Sequence, residues 1–500
     1  MAVTAEPVVR CTRGIALPRT KLEPAVLALT CLLAAWVVTF SVLVVRRHHG
    51  FWDIDFDMGI HDQSVWLLAH GRGFLTVRGL QVFGHHATPA YFLLVPAYWL
   101  GAGPDFLNVF QVVVLGLGAI PLYLLARERH LPPWAAAVLG AVLLLHPVAQ
   151  FYTWELFHPE VVAITPLLCA YLCVQRRSWR WFAFWCVLAV SWKEDVALAV
   201  AVLGLLVALK GNRRVGVATL AVSLVWFLLW TVVLFPAING GQVQSENLYQ
   251  TVGGDAGGIV QTFVTDPGEI LSRVFGSESG DFAWHLALPF GLLAPLFAPL
   301  VLLIGLPQYL LDVISDASFT RAYTFHYGAL PLAALAIATV EGIAFVSRRF
   351  GKTVAFVAPF VVLGTAVFGS LAWGLSPVGA DYESGFWPPT NDPRIESKRA
   401  AVALVPDDAV VSAVYGLAPQ LSHRPEIYTF PNPWESKNFG IGGKPRRNPS
   451  RVEWLVIDQT VLGPPDVVLL SEILRGDDFR IVFERDDLLV ARRRGAHRGP

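Results

Sequence analysis

The chain has 500 residues, 54% of them hydrophobic and 15% charged, with a mean hydropathy of +0.52, which excludes a disordered protein and an ordinary soluble enzyme and identifies an integral membrane protein. Lysine plus arginine and aspartate plus glutamate balance at 38 each, so no net basic field exists to hold nucleic acid, and nucleic-acid binding gets no support. The five cysteines include no CxxC pair, so neither a disulfide framework nor a cysteine zinc site is implied.

Arg10, Arg13, Arg19 and Lys21 make a basic tail like the n-region of a signal peptide. The apolar run 24–45 that follows reaches the ~20 residues a helix needs to span, so it reads as a retained first span. Further spans are predicted over 106–126, 133–152, 161–175, 180–192, 196–209 and 216–236. Arg127 and Arg129, Arg176 with Arg177 and Arg180, Lys210 with Arg213 and Arg214, and Arg348 with Arg349 and Lys352 then fall on one side, the cytoplasm under the positive-inside rule, with the N-terminus inside. Arg46 and Arg47 run against the rule. The run 284–314 decides the parity, and two short helices breaking near Pro299 keep Arg348, Arg349 and Lys352 inside. Spans over 327–346 and 353–374 complete a set of about 11.

The fold class expected is a polytopic α-helical plasma-membrane protein. A cytoplasmic tail 1–23 precedes a transmembrane domain 24–375 whose first external loop is 46–105, and an extracytoplasmic α/β domain 376–500 follows. Of the 76 charged residues, 33 lie after residue 375. There, 409–414, 452–458 and 480–490 read as strands and 465–475 as a helix or strand. In the first external loop, 59–69 and 89–100 read as interfacial helices, and the glycine-rich stretch 240–258 as a mobile loop.

The densest polar constellation is WDIDFDMGIHDQ (52–63), with Asp53, Asp55, Asp57 and Asp62 just outside the first span. Four carboxylates at a membrane face are costly unless used or well solvated. In extended chain, 53, 55 and 57 share one side, the arrangement for a metal or for one raised pKa among like charges; the bland reading is a solvated loop with Asp57 as the N-cap of the next helix. Next come His85 and His86, a weak metal signal because adjacent side chains diverge. WELFHPE (154–160) places Glu155, His158 and Glu160 in a short external turn. WKED (192–195) places Lys193, Glu194 and Asp195 between apolar stretches, as a self-neutralising ion pair or a phosphate contact. DASFTRAYTFHY (316–327) offers Arg321, Tyr323, His326 and Tyr327 at a span's entrance, suited to a lipid phosphate or to an aromatic belt with a snorkelling arginine.

FDMGIHDQSVW (56–66), HHATPAYFLL (85–94), FHPEVVAITPLL (157–168), WKEDVALAV (192–200), HYGALP (326–331) and VSAVYGLAPQLSHRPEIYTFP (411–431) together resemble a prokaryotic membrane family, domain of unknown function 2079, over roughly 50–460. That family is similar to the type C (GT-C) glycosyltransferases, polytopic enzymes that take a sugar from a polyprenyl-phosphate carrier on the outer face. The resemblance implies a catalytic aspartate in the first external loop, best matched by Asp57, with Asp62 as a second carboxylate. The DE or DxD pair of some members is only loosely reproduced by Asp53, Asp55 and Asp57, which leaves metal dependence open; no metal ligand is assigned and the cofactor is unknown.

The function expected is a membrane glycosyltransferase acting on a polyprenyl-phosphate sugar donor and an envelope lipid or glycan acceptor. Asp57 would act as general base, with His85, His86, His158, Glu160, Lys193, Glu194, Arg321, His326 and Tyr327 binding substrate and Lys193 and Arg321 facing the departing phosphate. The competing readings are a transporter or flippase of lipid-linked substrates, against which stand the clustering of charge on one face, with Glu341 the only clear acidic residue deep in the late spans, and the lack of an internal repeat, and a non-enzymatic envelope partner or sensor.

Overall fold

The computed structural model describes residues 23–389, 391–441 and 447–495. The basic tail, Cys11 and all of the expected 1–23 segment except Glu23 lie outside the described residues.

Among the described residues, five helices are long and apolar enough to cross a membrane: Pro24–His49, Pro104–Glu128, Arg213–Asn239, His326–Phe350 and Lys352–Trp373. A sixth is bent by 44° between Pro133–Leu145 and Pro147–Trp154. Proline 147 has no N–H to continue the ladder, so His146 turns extended and its Nδ1 accepts the freed Val148 N–H as a cap. Three shorter apolar helices, Pro159–Gln175, Trp179–Val190 and Val196–Lys210, pack among them. Arg213–Asn239 is exposed along nearly all its apolar surface, the composition of a lipid-facing helix. It is held against Val196–Lys210 by backbone-close packing: a Cβ on Gly216 would meet Ala208 N at 2.1 Å, and one on Gly204 would meet Leu220 N at 2.6 Å.

The run 284–314 does not form two helices. It is broken into Ser277–Ala287, Leu288–Phe290, Ala294–Phe297, Pro299–Leu302 and Leu306–Ile314. Pro289, Pro295, Pro299 and Pro307 each stand in the first turn of their own piece, because a proline starts a turn far more readily than it continues one. The pieces still descend and return: residues 297–301 lie beside Lys210 and Arg348, whereas Ser315 and Asp316 bond to Leu248.

In the first long loop, a single π turn (Asp55–Gly59) runs into helix Ile60–Ala69, followed by the short hairpin β1 (Phe74–Leu75) and β2 (Leu80–Gln81). Seven of the ten residues of Ile60–Ala69 are buried, so this helix sits within the protein and not on a bilayer surface. The next segment, Pro89–Leu93 and Val95–Trp99, exposes Phe92, Leu93, Trp99 and Leu100, as an interfacial element does. The stretch 240–258 carries two short 3-10 turns, Gln244–Leu248 and Gln250–Val252.

After residue 375 the chain builds a five-stranded mixed sheet from β3 (Val411–Ala413), β4 (Ile427–Thr429), β5 (Trp454–Asp458), β6 (Phe479–Arg485) and β7 (Leu488–Arg493), in the order β4-β3-β5-β7-β6. β3 pairs in parallel with β4 and β5, and β7 antiparallel with β5 and β6. The single strand read over 480–490 is a hairpin. Its turn residues Asp486 and Asp487 have φ of 51° and 60°, the twist that a two-residue hairpin turn needs and aspartate tolerates. Pro464–Arg475 is helical.

The sheet docks directly on the first long loop. Asp55 N donates to Tyr415 O (3.2 Å), Ile427 N to Thr76 Oγ1 (2.9 Å), Gln63 Nε2 to Arg424 O (3.1 Å), and Arg78 to the carbonyls of Asn438 (2.7 Å) and Gly440 (2.9 Å).

Candidate active site

The acidic segment does not present its carboxylates on one side. Ile54 is extended but the π turn begins at Asp55, so the alternation expected of an extended chain ends there and the three carboxylates diverge. Asp53 is buried beside its own helix end, with Oδ2 2.8 Å from His48 Nδ1 and Oδ1 3.7 Å from Arg47 Nε. Asp55 turns to the C-terminal sheet and accepts from the Thr429 hydroxyl; burial pushes its carboxyl up to about 7. Asp57 is half-buried, 19% exposed, with Oδ1 3.5 Å from His158 Nε2. It caps nothing: the helix starts after Gly59 with no side-chain cap.

His158 precedes helix Pro159–Gln175, and its ring lies 3.6 Å from that of His326, 17° from parallel. His326 Nδ1 lies 2.8 Å from Glu155 Oε1 and its Nε2 3.3 Å from Glu160 Oε1. Lys193 donates to the same Glu160 oxygen at 2.5 Å and reaches Asp195 Oδ2 at 3.3 Å, with its ammonium 6.0 Å from the Tyr327 ring centre. Burial would depress this lysine, but the charges of Asp195, Glu160 and Glu194 outweigh it and hold the ammonium well above its ordinary range. His86 Nδ1 lies 2.9 Å from Glu194 Oε1, and Ala87 N donates to Glu194 Oε2 at 3.0 Å.

The structure thus gathers Asp57, His158, Glu160, Lys193, His326 and Tyr327 into one cluster, with Glu194 and His86 at its edge. Three others lie apart. His85 packs edge-on to His86, ring centres 4.4 Å apart. Arg321 donates to Glu278 (2.6 Å) and to the Ser315 carbonyl (2.9 Å). Asp62, fully buried, faces the C-terminal sheet: it accepts from Tyr98 OH (2.6 Å) and Ser422 Oγ (2.5 Å) and pairs with His423 Nε2 (3.0 Å). Sequence reasoning left out Glu155 as a cluster member and missed His61, whose ring is 5.5 Å from that of His158 and whose Nδ1 is 2.5 Å from Tyr91 OH. Glu155 lies in a turn already singled out, and a carboxylate three residues before His-Pro-Glu could have been weighted more.

Glu155, His158 and His326 are all buried, and one ligand atom from each lies within 4.8 Å of the others. Oε2 of Glu155 is buried without a hydrogen-bond partner, and burial pushes that carboxyl well above its usual range. A carboxylate and two imidazoles are the donor set of a divalent transition metal such as zinc, and the orphaned oxygen fits a bound cation. The cluster holds Asp57, Glu155, Glu160, Glu194 and Asp195 against Lys193 and the nearby Arg47, which donates to the Trp154 carbonyl and is also shared with Asp53, so acidic groups outnumber basic ones.

Residues 47–490 match the model of a family described as Predicted membrane protein (DUF2079), and the chain belongs to that family. No curated protein matches it. Among solved structures it is similar to ArnT from Cupriavidus metallidurans bound to undecaprenyl phosphate, at 14% identity over 95% of this chain and 99% of that one, with a TM-score of 0.53. To ArnT of the same organism in the apo state it is also 14% identical, over 96% of this chain and 100% of that one, with a TM-score of 0.55. The Archaeoglobus fulgidus oligosaccharyltransferase gives 13% identity over 85% and 68% of the two chains and a TM-score of 0.43. The likeness to ArnT is one of fold.

Proposed function

We propose that this protein is a membrane glycosyltransferase that moves a sugar from a polyprenyl-phosphate donor to an envelope lipid or glycan acceptor, with Asp57 as general base. The observation that carries this reading is the position of Asp57, a half-open carboxylate at the rim of a buried histidine and carboxylate cluster. The fold shared with ArnT, which has been solved with undecaprenyl phosphate bound, supports the lipid carrier.

In the proposed step Asp57 takes the acceptor hydroxyl proton as that oxygen forms a bond to the anomeric carbon. The bond from that carbon to the phosphate oxygen breaks, and the polyprenyl monophosphate leaves with the electron pair. Lys193, already matched by Glu160 and Asp195, holds these carboxylates in place and is not a free phosphate ligand. A divalent cation held by Glu155, His158 and His326 would supply positive charge for the departing phosphate. Asp62 orients the loop through Tyr98 and Ser422.

The basic residues Arg129, Arg177, Lys210 and Arg348 sit at the helix ends remote from the cluster, which supports an outward-facing site under the positive-inside rule. The descent and return of 277–314 supports a reading with eleven crossings, in which the C-terminal sheet, bonded to the Asp57 loop, lies on the same outer side.

The test is transfer from a panel of radiolabelled polyprenyl-phosphate sugars by purified protein in lipid, with a membrane extract as acceptor. Wild type turns over, and Asp57→Asn loses roughly 10²–10⁴ in kcat while keeping its unfolding midpoint. Equal turnover by Asp57→Asn removes the base assignment. No turnover with any donor by folded wild type removes the enzyme reading and favours a transporter.

A further inference from the structure

A cavity of about 1220 Å³ lies at the end of the bundle remote from Asp57. Helix Pro159–Gln175 reaches from one site to the other, so at 1.5 Å per residue the two are roughly 25 Å apart. The cavity is bounded by the C-terminal ends of Pro159–Gln175, Val196–Lys210 and Ala329–Phe350, by the N-terminal ends of Trp179–Val190 and Arg213–Leu228, and by the turn at Ala298–Pro299.

Its charge is strongly one-sided. Arg129 is consumed by Glu341, at 2.9 Å and 2.6 Å, and by Gln175 at 2.5 Å. Arg177, Lys210, Arg213, Arg214 and Arg348 line the same cavity and have no carboxylate at ion-pair distance among the described residues. A neighbouring cavity of about 540 Å³ shares Arg129, Glu341 and Arg348 and adds Lys352.

Topology explains part of this. Lys210 and Arg348 complement the negative ends of their helix dipoles, and all five obey the positive-inside rule. The dipole argument runs against Arg213 and Arg214, which stand at the positive end of their helix, where a cation is unfavourable. The N–H groups there are already satisfied: Asn212 Oδ1 accepts from Arg214 N (3.1 Å) and Val215 N (3.2 Å). An anion bound in the cavity would offset the crowding of these cations.

The other wall is hydrocarbon. Leu203, Leu206 and Val207 line the cavity together with Phe297, Leu300 and Phe345, and Leu300 and Phe345 are 41% and 52% exposed. A water-soluble anion gains nothing from that wall, whereas a lipid needs both: cations at headgroup depth and apolar surface beside its chains.

The geometry points to a lipid-phosphate binding site at this end of the bundle, separate from the Asp57 cluster and independent of the reaction proposed there. The headgroup phosphate meets Arg177, Lys210, Arg213, Arg214 and Arg348, and the chains run along Phe297, Leu300 and Phe345. Both a diacyl phospholipid and a polyprenyl phosphate carry that chemistry.

The test is native mass spectrometry of the full-length protein in neutral detergent, with phosphatidylglycerol, undecaprenyl phosphate or glycerol 3-phosphate added in separate arms. Wild type retains at least one of the two lipids, the arm that binds identifying the source, and does not retain glycerol 3-phosphate. The triple variant Arg213→Gln, Arg214→Gln, Arg348→Gln weakens retention about tenfold or more. Arg176→Gln removes a charge from the same face but outside the cavity, where Arg176 pairs with Glu128, and changes retention by less than about twofold. Leu206→Trp, which fills the apolar half and keeps every charge, also loses the lipid. Unchanged retention in the triple variant or in Leu206→Trp, an equal loss in Arg176→Gln, or glycerol 3-phosphate held as tightly as lipid overturns the proposal.

Discussion

His158 and His326 lie ring on ring, 3.6 Å between centres, and each faces a carboxylate through a ring nitrogen: Asp57 Oδ1 lies 3.5 Å from Nε2 of the first and Glu155 Oε1 2.8 Å from Nδ1 of the second. The stack fastens the turn after the bent helix to the head of the span His326–Phe350. Asp57, on a third element, therefore meets a surface whose shape is fixed by two others, the kind of support a reacting group needs.

Lys193 is expected to matter first for folding. Lys193→Met leaves Glu160 and Asp195 buried without their cation and costs about 3–5 kcal/mol. The double variant Lys193→Met, Glu160→Gln recovers much of the loss. A thermal-unfolding double-mutant cycle in detergent reads the coupling; additive losses would show that the 2.5 Å contact does not hold the two segments together.

Asp62→Ala removes the acceptor of two buried hydroxyls, Tyr98 and Ser422, and is expected to cost about 2–3 kcal/mol, against about 1 kcal/mol for Ser422→Ala. The sheet should loosen first, so limited proteolysis cuts the segment after residue 375 faster in Asp62→Ala than in wild type. Burial alone would depress His423, but the Asp62 charge and hydrogen bond outweigh it and hold the imidazole above its ordinary value. That contribution is full below the unfolded value of 6.5 and is lost as pH rises through the higher folded one.

Asp55 gives a pH dependence of the same direction from an acid. Its folded value of about 7 exceeds the unfolded 3.8 because of burial, so between the two the folded chain keeps a proton that the unfolded chain has released. Stability falls as pH rises through that window and levels off above it. Asp55→Asn, neutral throughout, should show a shallower decline in unfolding midpoint between about pH 4 and about pH 8; a slope equal to that of wild type would rule Asp55 out as its source.

Gly84 tolerates no side chain. A Cβ there would sit 2.4 Å from Asn239 Oδ1 and 2.9 Å from Ile238 Cγ2, at the point where Asn239 Nδ2 donates to the Gly84 carbonyl at 2.8 Å. Gly84→Ala should cost about 1–3 kcal/mol and move His86 away from Glu194. Adding Asn239→Ala relieves the clash, and the unfolding midpoint of the double variant should rise above that of Gly84→Ala.

The charged motifs were legible because an apolar chain makes each one conspicuous, and because they stand at helix starts and turns where a polar group can be afforded by solvent or a partner. FHPE, WKED and HYG were each visible alone; that His158, Glu160, Lys193 and His326 meet was not, since contact across packed helices leaves no local pattern. Asp53, Asp55 and Asp57 share one face only in extended chain, and nothing in DIDFD signals the π turn that separates them. Strand β4, three residues long, gives too little alternation to read. The broken limbs of 277–314 were legible in principle from Pro289, Pro295, Pro299 and Pro307, but mean hydropathy hides proline breaks that a count of N–H donors reveals.

The hydrogen bonds that Asp55 and Asp62 accept from the Thr429 and Ser422 hydroxyls, and those that Gln63 and Arg78 donate to the Arg424 and Asn438 carbonyls, join the first long loop to the last quarter of the chain. A ribosome delivers the first of these groups long before the second. The loop bearing Asp57 therefore waits, through the insertion of every later span, for partners not yet synthesised, and a nascent or prematurely terminated chain reaches the membrane without its finished site.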